Sequence, residues 1–87
     1  MTRDQVRDKV MTALINVAPE LGSAPLDAEK PLRDQVDLDS MDFLRFVQEL
    51  HAQLAVDVPE ADYARLGSVS SAVKYLAGRL GVTTADA

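Results

Sequence analysis

Apolar residues return every three or four positions along three stretches of this chain, and between those stretches the rhythm is lost. In the first stretch, Val6, Val10, Leu14 and Val17 make one stripe at helical spacing. Thr2, followed by Gln5, supplies a capping box at its start. Pro19 ends the helix, because proline has no N–H for the ladder and turns Ala18 away from helical angles. In the second stretch Phe43, Phe46, Val47, Leu50 and Leu54 gather on one side of a helix that runs from about Ser40 to Leu54. In the third, Val69, Ala72, Val73, Leu76 and Leu80 form the inner side of a last helix that Ser68 can cap. Gly78 weakens that helix near its end, and Gly81 suits the residue just past it.

The connections differ in kind. From Pro19 to Leu38 the chain holds Pro19, Gly22, Pro25 and Pro31, with Leu21, Leu26, Leu32, Val36 and Leu38 scattered singly between them. This predicts a long loop pinned by apolar contacts. A loop of that length in a small domain points to function or to a crossing over the bundle. After the second helix, Val56, Val58 and Pro59 break the period. Pro59 suits the first position of a short helix over Glu60 to Leu66, and Gly67 then punctuates. The expected fold is an all-α four-helix bundle, with three longer helices, one short third helix and a long loop between the first and second helices.

Composition narrows the picture. The 87 residues have room for one small domain, expected over 1–82 with a flexible tail at 83–87. An apolar content of 47% with only 5% aromatic residues favours packed helices over a sheet sandwich. Nine basic and fourteen acidic residues give a formal charge of -5, the wrong sign for gripping a phosphate backbone, so nucleic acid is not an expected partner. Asp37, Asp39, Asp42, Asp57, Glu60 and Asp62 concentrate acid around the second helix, and basic patches on other proteins are their natural counterpart. There is no Cys, hence no disulfide framework and no thiolate metal site. The charged start M-T-R-D-Q-V-R-D-K-V has no apolar signal region, and no stretch is long enough to span a bilayer. A cytoplasmic, monomeric protein without membrane insertion is expected.

The stretch with the most chemical promise is V-D-L-D-S-M-D-F-L-R-F-V-Q-E-L, from Val36 to Leu50. Asp39 is a good N-cap, and Asp42 three residues on gives an approximate capping box. With Asp39 as cap, Ser40 occupies the first helical position and its hydroxyl is not needed there. At about 100° per residue, Met41 and Leu44 fall on the outward side. An exposed apolar pair beside a spare hydroxyl suggests a docking surface. The same residues also fit an ordinary helix start with a local hydrogen-bonding serine.

Other groups offer less. His51 is the only histidine, without a second His or Cys, and reads as a solvated side chain. Ser40 has no recognisable base for nucleophilic activation. The four glycines make no phosphate-cradling loop. The acids beside Ser40 oppose binding of a free phosphate, despite the helix dipole, so a phosphate there fits better as a covalent attachment. Tyr63 and Tyr75 suit either a ligand cleft or the core and its rim.

From Asp39 to Leu76 the chain resembles the acyl carrier proteins, whose attachment motif is D-S-L at the start of the second helix. Here the motif is D-S-M, and the run lies on the family's pattern without a gap. V-D-V-P after the central helix looks like the family's acid-apolar-Pro step, and the last helix resembles its V-x-x-A-V-x-Y-L pattern. The resemblance implies that Ser40 receives 4′-phosphopantetheine from coenzyme A through a phosphopantetheinyl transferase, with Asp39 helping to present it. The thiol of the arm would hold an acyl group as a thioester in a fatty acid, polyketide or specialised acyl pathway, and the bundle interior could shelter part of the chain. Such a protein is not an enzyme. The resemblance also implies a partner surface of Met41, Leu44, Gln48 and Glu49, with Asp37 and Asp42 near the arm, for acyl-transferring, condensing or modifying enzymes with basic patches.

The chain departs from the family's pattern at several points. Met41 replaces the usual Leu at similar volume. Arg45, His51 and Gln53 stand where many members have acids or neutral residues, and Ala55 occupies a place often held by Gly, weakening the helix stop. Two other readings stay open. Peptidyl and aryl carriers usually place Gly-Gly-x before the serine, where this chain has D-L-D. An unmodified helical interaction module would use Met41 and Leu44 for docking alone. A small hydrolase would need a catalytic set that is not apparent.

Overall fold

A computed structural model describes residues 2–19, 26–36 and 38–82, and among these every regular element is helical. Thr2 and Gln5 exchange both bonds of the capping box: the Thr2 N–H donates to Gln5 Oε1 at 2.8 Å, and the Gln5 N–H donates to Thr2 Oγ1 at 3.2 Å. Helix α1 (Arg3–Val17) follows, and its last bond runs from the Ala18 N–H to the Leu14 carbonyl, just before Pro19. Helix α2 (Ser40–Leu54) and helix α3 (Val69–Leu80) complete the three long elements. The short helix Glu60–Leu66 lies between α2 and α3, as the sequence predicts, but it is wound as a 3-10 helix and Pro59 is its cap, not its first residue.

Helix α1 packs against both α2 and α3, and the short 3-10 helix packs against α3. The predicted stripes meet at the centre. Val6, Val10 and Leu14 from α1, Phe46 and Leu50 from α2, and Leu76 from α3 are wholly buried. Truncating a leucine such as Leu50 to alanine removes packing worth about 2–5 kcal/mol.

The end of α2 carries a small strain. Its C-cap Ala55 sits in the left-handed region at φ 56°, where a Cβ crowds the following carbonyl at a cost of about 1–2 kcal/mol. The helix therefore stops where the family's glycine would stop it, but with a residue that resists the conformation. Val56 and Val58, just beyond, are buried and hold the turn in place.

The described part of the long loop is anchored, as its scattered leucines suggest. Leu32 and Val36 are buried, and Leu26 and Leu38 pack against the core. Leu32–Asp34 forms a 3-10 turn that the sequence does not announce, because three residues carry no period. Two backbone bonds tie the loop to the start of α3: Leu32 N–H to the Gly67 carbonyl at 2.7 Å, and Ser70 N–H to the Ala28 carbonyl at 2.8 Å. The Gln35 side chain clasps the loop's upstream end. Its Oε1 accepts from the Asp27 N–H, at 2.6 Å, and its Nε2 donates to the carbonyls of Asp27 and Lys30, at 2.8 and 3.1 Å. Leu21, Gly22, Pro25, Asp37 and the expected tail at 83–87 lie outside the described residues.

Candidate functional site

The start of α2 is held by Asp39, whose extended backbone and carboxylate make a regular N-cap: its Oδ1 accepts the Asp42 N–H at 2.8 Å. Only this half of a capping box forms among the described residues. Ser40 is the first helical residue and is exposed. Its hydroxyl takes no part in the cap, and among the described residues it has no hydrogen-bond partner. A hydroxyl so placed can be approached by another molecule without disturbing the helix end, because the bond that holds the end belongs to its neighbour.

Beside this helix start lies a cleft of about 550 Å³ bounded by Leu38, Phe43, Leu66, Arg33, Ser68 and Ser71, among others. Phe43 also meets Phe46 and Tyr63 edge-on, with ring centroids at 6.1 and 5.4 Å, and so joins the first turn of α2 to the short 3-10 helix. Tyr63 thus belongs to the packed rim of the site. It also borders a groove of about 340 Å³ along α2, together with Leu44, Val47, Gln48 and His51.

The residues expected on the partner surface divide. Met41 and Leu44 point outward, 68% and 47% exposed, and Gln48 is exposed beside them. Asp42 and Glu49 are half-buried on the flank of α2, and Glu49 Oε2 accepts from Asn16 Nδ2 of α1 at 3.2 Å. His51 is exposed, and among the described residues no three metal-ligating side chains cluster.

A second polar assembly holds the far side of the short 3-10 helix. The Tyr75 hydroxyl donates to Asp62 Oδ2 at 2.7 Å and accepts from Arg79 at 2.8 Å, while Arg79 also reaches the Asp57 carbonyl at 3.1 Å. Partial burial, and then the bond to Asp62, push the Tyr75 phenol above its usual 10.0, against the lowering pull of Arg79. The arrangement ties α3 to both the 3-10 helix and the segment after α2. Sequence reasoning could not find it, since Asp62 and Tyr75 lie thirteen residues apart with no shared period.

Comparison with known proteins agrees with this geometry. The family model described as "Phosphopantetheine attachment site" matches residues 10–76. The acyl carrier protein of Chlorobium luteolum is 26% identical over 76 residues, covering 87% of this chain and 96% of its own. That of Exiguobacterium sp. is 28% identical over 82 residues, covering 92% and 100%, and that of Campylobacter fetus is 29% identical over 75, covering 86% and 91%. The domain of this family bears 4′-phosphopantetheine covalently, and its members carry a substrate for other enzymes and catalyse nothing themselves. A match that spans most of the chain, on a helical bundle with an exposed serine opening its second long helix, establishes that this chain belongs to the acyl carrier protein family, with a phosphopantetheine-attachment domain.

Proposed function

We propose that Ser40 is the attachment point and that the chain, as one carrier unit over residues 1–82, delivers acyl intermediates within a cytoplasmic fatty acid, polyketide or specialised acyl pathway, acting as a monomer. The observation that carries this reading is the division of labour at the start of α2, where Asp39 caps and the exposed Ser40 hydroxyl does not. The residues present fit the group. A phosphodiester on Ser40 would project from the first turn without breaking a bond of the fold, and the acids nearby would keep free phosphate away. When attached, the arm supplies a thiol, which this chain of no cysteine otherwise lacks, for a thioester.

Asp39 presents Ser40 by fixing the helix end. The cleft beside it, with Leu38, Phe43 and Leu66 on its walls, offers apolar surface to an arm or the acyl group on it. Met41, Leu44 and Gln48 form the outward docking residues, and Asp42 and Glu49 stand on the flank. The transferase and the acyl-transferring, condensing or modifying enzymes would meet acid near the arm with basic groups of their own; Asp37, also assigned to that region, lies outside the described residues. Incubation of the purified chain with coenzyme A and a broad-specificity phosphopantetheinyl transferase tests the reading by intact mass. A gain of one phosphopantetheine, absent in Ser40→Ala, supports it. No gain under conditions that load a control carrier would favour an unmodified docking module.

A further inference from the structure

The outward face of α2 holds no carboxylate. At about 100° per residue, Met41, Leu44, Arg45, Gln48, His51 and Ala52 fall on one side of the helix, and all six are exposed. The two acids of the helix, Asp42 and Glu49, are turned toward the flank, and Asn16 of α1 holds Glu49 there. A chain with a formal charge of -5 thus shows a cation and no anion on the helix face that carries the two most exposed large apolar side chains among the described residues.

An enzyme that reaches Ser40 over Met41 and Leu44 also covers this cation, because Arg45 stands one turn beyond Met41 on the same face. Arg45 lies five residues along the helix from Ser40, about 8 Å of axial rise. An interface of ordinary size covers about 800 Å² on each partner, a disc of about 16 Å radius. We propose that Arg45 is a specificity determinant of this carrier: it selects partners that lay apolar side chains on Met41 and Leu44 and set an acidic side chain against Arg45, and it disfavours partners that are basic at that point. Basic groups of the same partner find acid away from Arg45, at the exposed Asp39 beside Ser40 and at the exposed Asp57, which borders the groove along α2 with Leu44, Gln48 and His51. Charge complementarity carries the assignment, since a buried or rim pair of like charges costs affinity that an opposite pair returns. The inference rests on Ser40 being the attachment point.

The test uses a phosphopantetheinyl transferase with a basic carrier-docking surface, and coenzyme A, on the full apo chain. Arg45→Glu is compared with Arg7→Glu, the same change of net charge on an exposed site of α1. The expected result is a KM for the carrier at least about fivefold lower in Arg45→Glu, converging on the unaltered chain at high salt, while Arg7→Glu stays within about twofold. An unchanged KM in Arg45→Glu with Ser40 still loaded overturns the inference and leaves the attachment site standing. Equal falls in both variants assign the effect to net charge and overturn it too. If no version is loaded while a control carrier is, the attachment reading fails and takes the inference with it.

Discussion

Asp39 accepts the backbone N–H of Asp42 at 2.8 Å, across Ser40 and Met41, so the Ser40 side chain is exposed without carrying any part of the cap. Stability and modification should therefore separate at adjacent positions. Asp39→Ala removes the cap and should cost about 1 kcal/mol. Ser40→Ala should stay within about 0.5 kcal/mol of the unaltered chain while abolishing loading. Urea unfolding of the two variants, beside an intact-mass loading assay, checks both halves.

Two helix ends leave room for improvement. Ala55 holds a left-handed backbone at φ 56°, and Gly78, exposed in α3, has open space where a Cβ would stand. Ala55→Gly should stabilise the fold by about 0.5–1 kcal/mol by relieving the crowding. Gly78→Ala should do so by a similar amount, about 0.5–1 kcal/mol, through helix propensity. Thermal unfolding would show both as rises in Tm, with loading at Ser40 unaltered.

The loop ahead of α2 should loosen without Gln35. Its amide makes three close bonds to the backbone at Asp27 and Lys30, and Gln35→Ala should cost about 1–2 kcal/mol in all. Hydrogen exchange would localise the change: protection at Asp27 and neighbouring amides falls, while α1 keeps its own.

The Tyr75 assembly predicts a dependence on alkaline pH. Burial and the Asp62 bond raise the folded phenol above 10.0, so its stabilising effect is complete at pH values below that and is lost as the pH climbs through the raised value. Tyr75→Phe should be less stable by about 1 kcal/mol at neutral pH. The gap between the two proteins in urea melts should close as the pH rises past 10.0.

Much of this site can be read in the sequence because its cues are local. A capping residue, a period of three to four and a break at proline place Ser40, Met41 and Leu44 without knowledge of any neighbour. Features set by packing are not so legible. The bond that Glu49 accepts from Asn16 joins residues thirty-three apart in the chain. The clasp by Gln35 has no periodic signature, and nothing in the pattern of Glu60–Leu66 separates a 3-10 helix from an α-helix. The concentration of acid around α2 is visible in the chain, and the helical period already turns Asp42 and Glu49 off the outward face; which groups meet them there appears only once the helices are packed.

The most direct measurement locates the modification. The chain is co-expressed with a phosphopantetheinyl transferase, purified and cut with trypsin, and the peptide spanning Asp34 to Arg45 is fragmented in the mass spectrometer. Phosphopantetheine on that peptide, at Ser40, is the predicted result. A bare peptide in cells that load a control carrier, or an arm found on Ser68, Ser70 or Ser71 instead, would contradict the account.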